Sequence, residues 1–229
     1  ADAKVFTGGH FPGSDNVRNC GIVRLEASGS LDASFNPGIG RGANIQSVAL
    51  QADGNVLIGG RFTTVNATNG RTVARLYSNG SLNTAFNPNF GVIVNPGDYV
   101  THSAFAVQTN GQVFVAGSSV QMECDQFDDC FWSYLPFFVR LNGDGSGDST
   151  FNPDIGSFFV SSMALQTDGK VVLGLEGYDA TNGSTNAIVR LLSNGTLDTS
   201  FNAAVNASAY SIALQPDGKV LIGGGFTSV

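Results

Sequence analysis

Lysine and glutamate are nearly missing, with three of each in 229 residues. These residues decorate exposed helix faces, so their scarcity argues against a helical bundle. Charged residues make up only 13%, about half the usual share of roughly 25%. The apolar fraction is an ordinary 42%, enough to build a core, which argues against disorder. Net charge is −7 and no basic cluster occurs, so nucleic acid and anionic membrane surfaces are poor partners. No apolar run approaches the ~20 residues of a membrane helix, so no membrane span is expected. There are two histidines, His10 and His102, and neither stands in a Ser-His-Asp or metal-ligand spacing. The glycines of 37–42 are followed by no helical pattern, which removes the dinucleotide-loop reading. The expectation is a protein that is not an enzyme and has no cofactor. No signal peptide is read at Ala1-Asp2-Ala3, so either a leader has been removed or the chain is a segment of something longer.

What is abundant is glycine (30), phenylalanine (17) and asparagine (20). Much of this abundance is repetition. One string recurs without gaps as RLEASGSLDASFNP (24–37), RLYSNGSLNTAFNP (75–88), RLNGDGSGDSTFNP (140–153) and RLLSNGTLDTSFNA (190–203). A second recurs as SVALQADGNVLIGGRF (47–62), SAFAVQTNGQVFVAGSS (103–119), SMALQTDGKVVLGLEG (162–177) and SIALQPDGKVLIGGGF (211–226), with a partial copy KVFTGGHF at 4–11. Successive repeated arginines lie 51, 65 and 50 residues apart. The long interval holds two insertions, near 92–100 and 119–137.

Each unit reads as four short strands. An alternating strand is followed by an Asp-Gly or Asn-Gly turn, read as a two-residue hairpin with positive φ. Then come a continuous apolar strand with paired glycines, a third strand of Val-x-Arg-Leu type, and a short outer strand ending in Phe. An antiparallel unit of about 50 residues cannot bury both faces alone, whereas stacking copies around an axis does so. The predicted fold is therefore all-β, a β-propeller of about four such repeats forming one domain over 1–229. It comprises partial unit 4–37, units 46–88, 104–153 and 162–203, and partial unit 210–229. The Phe before each Asn (Asn36, Asn87, Asn152, Asn202) is expected to pack between units. Arg24, Arg75, Arg140 and Arg190 are each followed eight residues later by Asp32, Asn83, Asp148 or Asp198, read as scaffold partners.

The strings ALQxDGKVLIGGxF and RLxxxGSLDxSFNP resemble the delta-60 repeat family, a predicted β-propeller repeat of bacterial surface and secreted proteins. The resemblance covers nearly the whole chain. Gly147 and Leu175 depart from it, and the 119–137 insertion has no counterpart in it. It implies an extracellular or cell-surface setting and carries no catalytic residues. Segments 4–11 and 219–226 are equivalent, which leaves one strand too many for a simple ring. A five-stranded closing unit, a cut from a longer array, and strand exchange between molecules in a homo-oligomer all remain open.

Candidate sites are few. Asp144, Ser146 and Asp148 resemble the start of a calcium loop, but no glutamate follows at the twelfth position and the segment aligns on an ordinary turn. Sequons stand at Asn66, Asn79, Asn182, Asn194 and Asn206. Cys124 and Cys130, six residues apart, suit a local disulfide, with two reduced thiols as the alternative. The insertion 121–138 is read as a loop. It gathers Glu123, Asp125, Asp128 and Asp129 beside Phe127, Phe131, Trp132 and Tyr134. Such a group can plug the edge of the next unit, anchor a protein surface, or stack on a glycan.

Overall fold

A computed structural model of the chain describes residues 4–10, 21–40, 42–62, 64–66, 68–69, 72–88, 99–124, 130–153, 155–179, 183–201, 203 and 205–228. Cys20, Asp125, Phe127, Asp128, Asp129, Asn182, Asn202 and most of the 92–100 insertion lie outside them. The described residues form strands and no helix. β1 (Val5–Gly8) pairs with β2 (Ile22–Leu25). β3 (Asn44–Leu50), β4 (Val56–Arg61) and β7 (Val73–Leu76) make the second sheet, and β5 (Thr64–Val65) pairs with β6 (Thr68–Asn69) in a side ribbon. β8 (Tyr99–Val107), β9 (Val113–Cys124) and β10 (Cys130–Leu141) make the third sheet. β11 (Phe159–Leu165), β12 (Val171–Asp179) and β13 (Gly183–Leu191) make the fourth, and β14 (Ala209–Leu214) with β15 (Val220–Gly224) the last. All pairings are antiparallel.

The sheets pack in chain order, with β1 against β3, β3 against β8, β8 against β11 and β11 against β14. The side-chain period of two explains how. In β4, Val56 and Ile58 face back to Ile22 and Phe35 of the first unit. Leu57 faces forward to Val113 and Val115 of the third sheet. Phe114 then faces Val171 and Leu173, and Val172 faces Val220 and Ile222. Central strands are thus apolar on both faces because each serves two interfaces. The repeated Phe35, Phe86 and Phe151 lie in these inter-sheet cores, as expected.

Two local readings change. The expected two-residue hairpins are three-residue turns. The Gln51 N–H reaches the Asn55 carbonyl and the Gly54 N–H the Gln51 carbonyl. In the Asp-Gly and Asn-Gly pairs only the glycine has positive φ, +82° at Gly54 and +86° at Gly111. This is a type I turn closed by a left-handed glycine. The Asp or Asn side chain caps it instead, with Asp53 Oδ1 accepting from the Asn55 N–H at 3.0 Å. The expected fourth strands shrink to single bridges: Leu25–Leu31, Leu76–Leu82, Leu141–Gly147 and Leu191–Leu197. The Asp or Asn that follows ends the pairing by turning its side chain onto the backbone two residues on, as at Ser34 N–H to Asp32 Oδ1, 2.9 Å.

A feature not read from the sequence is a bulge in every first strand, between Ile45 and Ser47, His102 and Ala104, Val160 and Ser162, and Ala209 and Ser211. It explains the second glycine of the pair. A Cβ on Gly60 would lie 2.2 Å from the Asn44 carbonyl oxygen.

Candidate functional site

The described residues of the 119–137 insertion, 119–124 and 130–137, are strand rather than loop. β9 and β10 simply continue past the length of their sister strands, in unbroken register from Val113–Leu141 to Cys124–Cys130. The second of these strands is rich in aromatics, with Phe131, Trp132 and Tyr134, residues that favour a pleated sheet, so it propagates the pairing. A disulfide joins Cys124 to Cys130, the last described cross-strand pair. At the base, Phe138 stacks on Phe114 with centroids 5.6 Å apart, and Phe151 meets both edge-on at 5.1 and 5.5 Å. The hairpin therefore rises from a packed aromatic anchor.

Beyond that base five large apolar side chains are exposed. Met122, Phe131, Trp132, Tyr134 and Leu135 are 46–56% exposed. Trp132 sits opposite Met122, and Tyr134 opposite Val120, which is fully buried, so these share one face. Phe131 and Leu135 project from the other, opposite Glu123 and Ser119. The predicted residues Phe131, Trp132 and Tyr134 are thus brought together on one element but divided between its two faces. Asp125, Asp128 and Asp129 lie outside the described residues.

The calcium candidates do not converge. Asp144 Oδ1 accepts from the Ser146 N–H and hydroxyl at 2.9 and 2.7 Å, which lowers its pKa. Asp148 accepts from Thr150 Oγ1 (2.6 Å), Arg140 Nε (2.7 Å) and Gln112 Nε2 (2.7 Å). The Thr150 hydroxyl, followed by its N–H and Arg140, pulls the Asp148 pKa down to about 2. Among the described residues no group of three His, Cys, Asp or Glu is placed to hold a metal. Of the sequon asparagines, Asn66 gives Nδ2 to the Gly80 carbonyl and Asn206 gives it to Thr227. Asn79 and Asn194 are exposed and use Oδ1 to cap their own turns. The caps of Asn79 and Asn194 use Oδ1 rather than the Nδ2 to which a glycan attaches, whereas Nδ2 of Asn66 and Asn206 is already engaged.

The repeated arginines are scaffold clamps. Nε of Arg24, Arg140 and Arg190 meets Asp32, Asp148 and Asp198 at 2.6, 2.7 and 2.9 Å. Arg75 departs from the expectation: its Nε is buried without an acceptor, because Asn83 stands where the others have Asp. The sequence reading missed the second half of the clamp. Arg24 also donates to the Ser78 carbonyl, Arg75 to that of Gly143 and Arg140 to that of Ser193, each on the outer turn of the following unit. Beside each, the N–H of Asn36, Asn87 or Asn152 donates to the carbonyl of Asn79, Asp144 or Asn194 on the same turn.

Sheets stacked face to face in chain order, each repeating one hairpin chemistry and one inter-unit clamp, define a β-propeller repeat protein. A model of the family described as domain of unknown function (DUF5122) beta-propeller matches residues 1–35, 51–86, 166–201 and 215–229, just over half the chain. The chain belongs to this family. The unit carrying the long hairpin falls outside the matched stretches. No curated protein matches the sequence. Among solved structures, the chain is similar to MPT-4, a mannose phosphorylase from Leishmania mexicana in complex with phosphate ion. The similarity has 12% identity and a TM-score of 0.41, and covers 85% of this chain and 67% of that one.

Proposed function

We propose that the chain is a non-enzymatic extracellular repeat module with a structural or adhesive role, and that the β9–β10 hairpin is its contact surface. The observation that carries this is the hairpin's exposed apolar set on both faces, raised on a packed base and closed by a disulfide. Large apolar side chains held rigidly in water mark an interaction site. A disulfide at an exposed position suits an oxidising compartment. No helix among the described residues is long and apolar enough to cross a membrane.

A protein surface fits both faces at once, with Trp132, Tyr134 and Met122 on one and Phe131 and Leu135 on the other. The alternative is a lectin-like role. Trp132 and Tyr134 stand two residues apart on the same face, an aromatic platform on which a sugar ring can stack. Trp132→Ala and Leu135→Ala separate the two. With surfaces or cells of the source environment as the target, loss of adhesion in both variants supports the protein reading. Glycan-array binding lost only in Trp132→Ala supports the lectin reading. Adhesion unchanged in both variants removes the hairpin as the contact.

A further inference from the structure

β10 belongs to a three-stranded sheet in the middle of the chain and is its outer strand, with β9 on one side and no strand on the other among the described residues. The Asp148 N–H donates to the Arg140 carbonyl, so the Arg140 backbone points away from β9. That direction recurs at every second residue of an antiparallel strand, hence at Phe138, Pro136, Tyr134 and Trp132. Pro136 agrees with this, since its missing N–H falls on the outer side and costs the β9 ladder nothing. In the next unit the outer segment returns to its strand at the Ile188–Ala203 bridge. In the third unit Pro153 stands in the place of Ala203, with no N–H to donate. Beyond the single Leu141–Gly147 bridge a cavity of about 380 Å³, lined by Phe138, Arg140, Phe151 and Pro153, takes the place of that return. The matching edge of the next unit reads Gly183-Ser184-Thr185-Asn186, which is polar. β10 instead carries Phe131, Trp132, Tyr134 and Leu135, each about half exposed. A long edge strand with large apolar side chains is a template for pairing with another chain.

We infer that the β10 edges of two copies pair antiparallel about a two-fold axis at Ser133, joining their third sheets into one six-stranded sheet. This names the partner of the contact surface proposed above and rests on that reading. Pro136 weakens the ladder on the base side and the Cys124–Cys130 disulfide closes the hairpin on the other, which leaves 131–135 as the pairing length. With Ser133 on the axis, one face sets Trp132 against Tyr134 of the second copy, and the other sets Phe131 against Leu135, each pair occurring twice. Cross-strand pairs of aromatic and apolar side chains are what stabilise such a ladder. The outward N–H and carbonyl of Tyr134 then meet the backbone of the second copy. An axis at Tyr134 would set Ser133 against Leu135, and an axis at Trp132 would set it against Phe131. The Ser133 axis therefore matches apolar to apolar on both faces, and it gives the exposed side chains of both faces a use. Half of three aromatic side chains, with Leu135, Met122 and the edge backbone, comes to roughly 500 Å² per copy, or about 1,000 Å² for the pair, the lower limit for a specific interface. The joint is thus a weak, reversible one, and because it is isologous it closes at the dimer.

The test uses the full chain with Cys20→Ser. Sedimentation over about a hundredfold range of concentration should show a monomer–dimer equilibrium with no larger species. Tyr134→Pro removes an N–H from the outer side alone, so it should melt like the parent and stay monomeric where the parent is mostly dimer. Ser133→Cys gives a second reading that needs no such variant to fold. Its two copies face each other across the axis at roughly 4.5 Å between Cα atoms, within disulfide reach, so oxidation should link the dimer. Gln121→Cys, opposite Ser133 on β9, lies three strand spacings from its mate, about 14 Å, and should not link. A parent that is monomeric throughout, a Tyr134→Pro protein that dimerises normally, or Ser133→Cys linking no better than Gln121→Cys overturns the inference. The adhesion assay on Trp132→Ala and Leu135→Ala keeps the two readings apart. A monomeric parent whose adhesion is lost in both variants removes the dimer alone. A parent that dimerises through Ser133 but adheres unchanged in both variants removes the adhesive role alone.

Discussion

Asn83→Asp should stabilise the protein, although it buries a charge. Asn83 is 5% exposed, and its Oδ1 accepts from the Ala85 N–H at 3.1 Å. The equivalent Oδ1 atoms of Asp32, Asp148 and Asp198 accept from Ser34, Thr150 and Ser200 at 2.9–3.1 Å. In those three units the other carboxylate oxygen receives the arginine Nε. In the second unit the amide nitrogen of Asn83 takes that place, so a donor faces a donor and Arg75 Nε is left without an acceptor. The rest of the clamp is intact: Arg75 donates to the Gly143 carbonyl at 2.7 Å and lies 4.7 Å above the Phe86 ring. A charge-assisted hydrogen bond is worth about 1.5–3 kcal/mol, and relieving an unsatisfied buried donor about 1–3 more. Desolvating the new carboxylate opposes both. The net expectation is about 1–2 kcal/mol of added stability, or roughly 2–8 °C in Tm for a chain of this length. Adding Ala85→Ser, which restores the hydroxyl found in the other units, should raise it further. Two-state urea unfolding with unchanged m reads the difference. An Asn83→Asp protein that folds normally but is neutral or less stable would refute the account of Arg75 as a frustrated clamp.

Acid should unfold the stack through the same clamps. Asp148, Asp32 and Asp198 all have folded pKa values below the ordinary 3.8, that of Asp148 near 2. Their stabilisation is present above about pH 4 and is lost as pH falls towards 2, so a plot of Tm against pH should break in that window. Gly60→Ala should be far more damaging than Gly111→Ala. Both glycines have positive φ, +150° and +86°, but only Gly60 has a carbonyl oxygen 2.2 Å from the new Cβ, and Gly111 has open space. Gly111→Ala should cost about 1–2 kcal/mol of backbone strain, and Gly60→Ala should exceed that clearly in thermal melts.

Much of this protein was legible in its residues because it is written four times. The Asp-Gly and Asn-Gly turns, the VLIGG strand, the Arg…Asp spacing and the inter-unit Phe each recur, and recurrence turns a weak local signal into a strong one. The all-β class follows from that alone, and the short Cys124–Cys130 spacing suited a local disulfide, which the structure shows as a cross-strand pair. Three things were decided only in three dimensions. The turn type depends on a backbone closure that Asp-Gly permits in more than one form. The extended hairpin depends on pairing between 118–124 and 130–136, whose partner strand is part of the same unrepeated insertion, so no sister unit announces it. The clamp to the following unit depends on which carbonyl the stacking brings beneath each arginine, a long-range contact that no spacing encodes. Sequence periodicity determined what each unit is. Packing decided how one unit holds the next, because that contact joins residues far apart in sequence.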